Sequence, residues 1–427
     1  MNYFEERDGV FCCEGIDLRE IAEAVGTPFY VYSYRTLVRH CRAIDGAFGE
    51  YDHLTCFAMK ANSNLAILDI VGKEGLGVDI VSGGELFRAL KAGIDPKKIM
   101  FSGVGKSENE IGFALKEGIL CLNVESEAEL KTVDRVARDL ELTAPIALRI
   151  NPDVDPKTHP KISTGLKAAK FGIPHQMALY AYRKADSLPG LNVIGIDCHI
   201  GSQLTTVAPF VEAAERLLSL IEQIRGAGIK ITLADIGGGL GITYDAETPP
   251  TPDEWGQAVG EILSPAGLTI VLEPGRSIVG NTGALVTKTL YRKTNETKEF
   301  VVVDAAMNDL ARPSMYDSYH EIRPVVTHTD DRNITADIVG PICETGDVLA
   351  RDRTIAEPSA GDLLAVMSAG AYGFAMSSTY NSRPRVPEVL VMGDRWEIIR
   401  ERETWDDLIA GERVVDNTED LRVTLDA

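Results

Sequence analysis

The sequence predicts an α/β protein: a TIM-type (β/α)8 barrel over residues 30–276, followed by a mostly antiparallel, Greek-key-like β domain over 277–427. Three observations carry that expectation. Eight short, nearly continuous apolar runs recur at βα spacing across the first two thirds of the chain, as parallel strands covered on both faces do. Amphipathic segments such as SGGELFRALKAG and ESEAELKTVDRVARDL separate them, with apolar residues at helical spacing. Beyond Arg276 the strand-like runs continue while the helical segments largely cease.

The predicted barrel strands are LTCFAMKA from 54, GVDIVS from 77, IMFSGV from 99, CLNVES from 121, PIALRI from 145, VIGIDCHIGS from 193, TLADIGGG from 232 and TIVLEPGR from 269. Eight such units make a barrel of ordinary size; spacing alone also admits an open, doubly wound sheet. The interval after the fifth strand is longer, and its segment 151–173, rich in Pro, Lys and Thr, is expected to lie over the barrel mouth. In the second domain GALVTKTLYR, EFVVVDAA, ITADIVG, DLLAVMSAGAY and PEVLVMGDRWEIIRE are strand-like. The opening residues, 1–29, contain a further strand-like run, GVFCCEGI, and are expected to join that domain.

Composition narrows the function classes. The chain has 427 residues, 44% of them hydrophobic and 25% charged, ordinary for a soluble globular protein. A net charge of −21 favours solubility and argues against a nucleic-acid surface. Any anion must then be bound by locally placed arginines. Seven cysteines without CxxC pairs indicate free thiols in a reducing compartment, with no redox role assigned to Cys12 or Cys13. The first residues lack a basic start and an apolar h-region, and no apolar run has the length of a membrane span. A cytoplasmic location is expected.

In a barrel of this kind the chemistry gathers at the C-terminal ends of the strands. Those positions hold Lys60, Ser82, Ser102, Glu125, Arg149, His199 with Ser202, Gly237 to Gly239, and Glu273 with Arg276. A lysine at a strand tip is ordinarily solvated, and a histidine there is often a satisfied buried ring. A desolvated amine, however, loses its proton more readily and becomes a nucleophile for Schiff-base chemistry. The glycines of IGGGLGI match neither the GxGxxG nor the Walker pattern; after a seventh strand they suit close approach of backbone N–H groups to a phosphate. Glu273 pairs with Arg276 in the plain alternative, and in the functional one keeps a ring nitrogen protonated. The seven histidines show no HxH or HExxH spacing and there is no GxSxG elbow, so no catalytic metal and no serine nucleophile are expected. An amine, a phosphate cradle, a ring-facing imidazole and a ring-nitrogen carboxylate together describe pyridoxal 5′-phosphate, an electron sink for a carbanion at an amino-acid Cα.

The motifs FAMKAN, VSGGEL, HIGSQ, GGGLGI and EPGR resemble those of the alanine-racemase-fold, or fold type III, pyridoxal-phosphate decarboxylases. The resemblance spans nearly the whole chain, through MNDLARPSMYDSYHEI, GPICETGD and SAGAYGFAMSSTYNSRPR, and is strongest to the branch that converts meso-diaminopimelate to L-lysine. It implies that Lys60 is the Schiff-base lysine and that His199 stacks on the cofactor ring. Asp79, Ser202, Gly238, Gly239 and the segment Glu273, Pro274, Gly275, Arg276 would hold the cofactor, with Glu273 on the pyridine nitrogen. Tyr372 is implied near the phosphate and the substrate. Arg276, Arg312 and Tyr316 would bind the distal carboxylate, which suits a bidentate guanidinium, and Glu344 the distal ammonium. Cys343 would reprotonate Cα, reaching into the site of a partner subunit in a homodimer. Thr345 stands where the family pattern has serine, and keeps the hydroxyl. Related decarboxylases acting on arginine, ornithine or carboxynorspermidine, an amino-acid racemase and a non-catalytic cofactor-binding barrel are the rivals. A second carboxylate on the substrate, read by Arg276 and Arg312, separates the first group. The Glu at the ring nitrogen, where such racemases carry Arg, separates the second, and the presence of a β domain separates the third.

Overall fold

The computed structural model describes residues 2–154, 170–327 and 332–414, so most of the segment expected over the mouth lies outside the described residues. Eight parallel strands close on one another: β1 (His53–Ala58), β2 (Gly77–Ile80), β3 (Ile99–Phe101), β4 (Cys121–Val124), β5 (Ala144–Asn151), β6 (Leu191–Asp197), β7 (Leu233–Asp235) and β8 (Thr269–Leu272). The pairing of β8 with β1, and of β4 with β5, completes the ring, which removes the open-sheet alternative.

Local sequence explains how each strand hands over to its helix. Asn64, Ser107 and Ser126 cap the helices Leu65–Lys73, Glu108–Glu117 and Glu127–Asp139 with their side-chain oxygens, satisfying N–H groups that the first turn leaves free. Ser82 does the same for Gly83–Lys91, accepting from Glu85 N at 3.2 Å. It is a helix cap and does not line the cavity described below, unlike the grouping at the mouth that strand-end position suggested.

Inside the barrel, period-two alternation sets up two layers. Cys56, Met100, Cys121, Ala147, Leu233 and Val271 form a separate apolar floor. Two residues further along the same strands, hence on the same face, come Ala58, Ser102, Asn123, Arg149, Asp235 and Glu273, all buried. Asp79 on β2 and Asp197 on β6 complete this upper ring and are likewise buried. Such polar density in an interior is tolerated only when the groups pair with one another or with a ligand.

The second unit is a mixed, mostly antiparallel sheet. Its strand order is Val348–Ala356, Asn333–Val339, Glu299–Val303, Gly283–Thr294, Phe29–Ser33, Glu388–Met392 and Arg395–Arg400, with Leu363–Val366 also paired to Gly283–Thr294. Phe29–Ser33, which precedes the barrel in sequence, lies in the middle of this sheet. The N-terminal strands Phe4–Arg7 and Val10–Cys13 share an apolar cluster with Ala284, Ala365 and Val389 of it. The two units meet at the Lys60 turn: Tyr372 N donates to Ala61 O at 2.8 Å and Asn62 Nδ2 to Gly370 O at 3.2 Å. All seven cysteines are free, six buried and Cys343 exposed. Among the described residues no helix is long and apolar enough to cross a membrane.

Candidate active site

β1 delivers its tip into a one-turn helix, Met59–Ala61, so the backbone of Lys60 is held by the barrel while its side chain stays 37% exposed toward a cavity of about 310 Å³. His199, Ser202, Arg276, Arg312, Tyr316 and Tyr372 line the same cavity. Six residues, from strand-end loops and short helices of both units, therefore converge on one amine.

Beneath Lys60 lies the polar ring. Lys60 Nζ donates to Asp79 Oδ2 at 3.0 Å, and Asp79 Oδ1 is buried with no hydrogen-bond partner. Burial opposes the Lys60 charge, but the Asp79 and Glu273 carboxylates outweigh it and hold the ammonium above its usual range. Glu273 accepts from Ser102 Oγ at 3.2 Å. Burial, together with the carboxylates of Asp235, Asp79 and Asp197, pushes its pKa well up, against the pull of Lys60. Asn123 Nδ2 bridges Ser102 Oγ at 3.1 Å and Asp235 Oδ2 at 3.2 Å; burial pushes Asp235 up to about 6, with the Gly237 N–H opposing it. Arg149 answers this negative charge from β5, donating to Glu125 at 3.0 Å and lying 3.8 Å from Asp197.

His199 follows β6. Gly238 N donates to its Nδ1 at 3.3 Å, so Nδ1 carries the lone pair. Burial, and then the charges of Arg149 and Lys60, depress its pKa well below the usual histidine value. A neutral, flat ring results. The glycine turn after β7 is required by contact: a Cβ at Gly238 would stand 2.2 Å from Glu273 O, and one at Gly239, whose φ is +114°, 2.5 Å from Gly201 O. Gly275 packs where a Cβ would be 3.1 Å from Ala58 and Ala61, and Pro274 O accepts from Ala58 N at 3.1 Å. The EPGR segment is thereby locked to the Lys60 turn.

The far wall is cationic. Arg276 donates to Tyr244 Oη at 2.6 Å and Ser202 Oγ at 3.1 Å, its guanidinium 4.9 Å from the Tyr372 ring centre. Arg276 Nε is buried without a partner. Arg312 lies 4.6 Å over the Tyr244 ring, and no carboxylate among the described residues pairs with either guanidinium.

Residues 34–280 match the family model for the pyridoxal-dependent decarboxylase, pyridoxal binding domain. The chain is 51% identical over 417 residues to the diaminopimelate decarboxylase of Vibrio cholerae, across 97% of this chain and 100% of that protein. The chain belongs to the diaminopimelate decarboxylase family. Two solved members share its fold. The Helicobacter pylori diaminopimelate decarboxylase, complexed with L-lysine, superposes with a TM-score of 0.89 at 43% identity, covering 92% of this chain and 98% of that one. The M. jannaschii diaminopimelate decarboxylase, in co-complex with L-lysine, superposes with a TM-score of 0.92 at 38% identity, covering 96% and 98%.

For a diaminopimelate decarboxylase family member, the residues present fit a phosphorylated pyridine aldehyde. The amine faces the cavity, the neutral imidazole lies beside it, and a buried acid stands behind. Asp79 Oδ1 and Arg276 Nε are buried polar atoms still lacking partners. Two expected residues stand apart. Cys343 is exposed, with its backbone N donating to Asn381 Oδ1 at 2.8 Å, and Glu344 bonds only within its own turn; neither lines the Lys60 cavity. Conversely, Gln203, Tyr244, Glu247, Ser318, Tyr319 and Met376 line it without having been expected. Gln203 lies inside the quoted HIGSQ motif and clamps Ile242 through both amide atoms, at 2.6 and 3.1 Å. Tyr244 follows the glycine turn by two residues. Asp235 lies two residues beyond Leu233 of the apolar floor.

Proposed function

We propose that this chain decarboxylates meso-diaminopimelate to L-lysine and CO2, with pyridoxal 5′-phosphate as cofactor. The observation that carries the substrate is the cationic wall: two buried guanidinium groups without carboxylate partners among the described residues, across the cavity from a lysine amine. A buried cation left unpaired is costly, so the wall favours a ligand bearing a second carboxylate over a simple diamine precursor. Bound in this cavity, the cofactor supplies an electron sink for the pair left when CO2 departs.

The chain's own groups divide the remaining work. Lys60 is the amine that would join the cofactor, and Asp79, 3.0 Å from Nζ, would orient it. Glu273, its pKa pushed well up by burial and by the Asp235 and Asp79 carboxylates, would hold a proton at the pyridine nitrogen. His199 presents a neutral face for stacking. Ser202, Gly238, Gly239, Gly275 and Tyr372 would hold the phosphate, with Pro274 bracing the turn. Arg276, Arg312 and Tyr316 bind the distal carboxylate. Cys343 returns a proton to Cα and Glu344 reads the distal ammonium, both from a second copy of the chain, since each is solvent-exposed and outside its own cavity. The active unit is therefore a homodimer. We also infer a division into a barrel that starts after Ser33, rather than at residue 30, and runs to about residue 276, and a β domain from 277 that includes the N-terminal residues through Ser33, because Phe29–Ser33 is a strand of the second sheet. Free thiols suit a reducing compartment, and the cytoplasm is where we place the reaction.

The test is CO2 release by the purified, cofactor-supplemented protein given meso-diaminopimelate, arginine or ornithine separately. Turnover of diaminopimelate alone, or far ahead of the others, is expected. Faster turnover of either alternative overturns the substrate assignment.

A further inference from the structure

One histidine outside the cavity bears directly on its specificity. His320 is fully buried. Its Nδ1 lies 2.8 Å from Met367 O and its Nε2 lies 2.8 Å from Arg312 Nη1. A carbonyl only accepts and a guanidinium only donates. The two contacts together therefore admit one arrangement: a neutral ring with the proton on Nδ1 and the lone pair on Nε2, aimed at Arg312. The Met367 carbonyl is itself fixed, because Met367 N donates to Glu321 O at 2.8 Å in the adjacent strand pairing. His320 O accepts from Arg353 Nη1 at 2.7 Å, which pins the backbone.

Among the described residues no carboxylate pairs with Arg312, and the charge that acts on it from the same wall is that of another cation, Arg276. Tyr244 lies under the guanidinium at 4.6 Å, and its ring meets His320 edge-on, with centroids 5.3 Å apart at 79°. The same Tyr244 hydroxyl accepts from Arg276 at 2.6 Å. A Glu at 320, with an oxygen at the reach of Nε2, would also accept from Arg312, but it would cancel the charge that a substrate carboxylate needs. A neutral acceptor orients the guanidinium fork and leaves its charge for the ligand. Burial and the Arg312 charge push His320 down to about 3, so the ring stays uncharged throughout the physiological range.

We infer that His320 is a positioning residue for dicarboxylate specificity: through its Nε2 lone pair it aims Arg312 at the distal carboxylate while leaving the cationic wall unneutralised. This rests on Arg312 binding that carboxylate, as proposed above.

The test uses the cofactor-loaded enzyme and measures kcat and KM for meso-diaminopimelate in three variants. His320→Asn keeps an amide donor for Met367 O but falls short of Arg312, whereas His320→Gln places an acceptor oxygen at the reach of Nε2. Loss of a hydrogen bond to a charged group predicts a KM increase of about tenfold or more for His320→Asn, with kcat within about threefold. His320→Gln should return KM to within about threefold of wild type, and cofactor absorbance should be unchanged in both. Equal KM values for the two variants overturn the inference. Arg312→Ala separates the premise: if it raises KM and His320→Asn does not, only the role of His320 falls; if it too leaves KM unchanged, the distal-carboxylate reading falls. Should His320→Asn not fold, His320→Leu, which removes both bonds, carries the same comparison with His320→Gln.

Discussion

Lys60 sits at the tip of a buried strand because two carboxylates beneath it, Asp79 and Glu273, make an ammonium tolerable there, and because its side chain opens to a cavity. Replacing it with alanine removes the one lysine that lines that cavity among the described residues. Lys60→Ala should lose the visible absorbance of covalently held cofactor while keeping its fold, checked by absorbance after reconstitution and by circular dichroism. The buried histidines impose a pH dependence whose sign can be stated. His320 is held at about 3 against an ordinary value of 6.5, so below pH 6.5 the unfolded chain binds a proton that the folded chain does not. Stability from this group is complete above 6.5 and falls as pH drops toward 3. Buried acids with raised pKa values, Asp235 at about 6 and Asp309 at about 7, act in the opposite sense over the same range. The clean observable is thus a difference: His320→Gln should lose less melting temperature than wild type between pH 6.5 and 4.5. Lys60, His199 and Glu273 were legible from sequence because strand-end position and side-chain chemistry coincide in each. His320 was not, since a lone histidine in an irregular segment carries no periodic signal.

The turn after β7 is the element on which cofactor binding and strand packing meet. Gly238 is hemmed by the Glu273 carbonyl of the neighbouring strand end, so an added methyl forces β7 and β8 apart rather than displacing a flexible side chain. Gly238→Ala should therefore cost about 1–3 kcal/mol, read from denaturant midpoints, and weaken cofactor binding measured by fluorescence titration. The barrel strands themselves were readable from continuous apolar runs. Shorter or more polar elements were missed: Val348–Ala356, whose middle residues Arg351 to Thr354 are all charged or polar, pairs along Asn333–Val339 without showing the apolar run that betrayed the others. Ser82 shows the reverse error. Its strand-end position suggested the cavity, but a serine followed three residues later by Glu85 is also a helix cap, and local capping decided its place.

At the scale of the molecule, each cavity lacks two of the groups expected to serve it. Cys343 and Glu344 lie on a turn braced by Asp347, which accepts from Met307 N and Ile342 N at 2.7 Å each, and both are exposed there. If that turn serves the site of a second copy, Lys60→Ala and Cys343→Ala subunits should complement on mixing. Random assortment into dimers puts one intact site in half of them, so about a quarter of wild-type activity is expected. No recovered activity in a sample shown to contain heterodimers would exclude the shared site. The contact between the two units has a local counterpart: Tyr372, at φ +56°, bonds its N–H to Ala61 O, so the β domain holds the turn that carries Lys60.

The sequence by itself determined the alternation of strands and helices, the chemistry at the strand ends and the family, because each is written in short-range order: period two, period 3.6, and motifs of a few residues. Only the tertiary structure decided which of these groups meet. Closure of the barrel, the place of Phe29–Ser33 in the middle of the second sheet, and the stack of Arg312, Tyr244 and His320 all join segments remote in the chain. Their partners are chosen by the packing and charge of the folded interior, which no local pattern encodes.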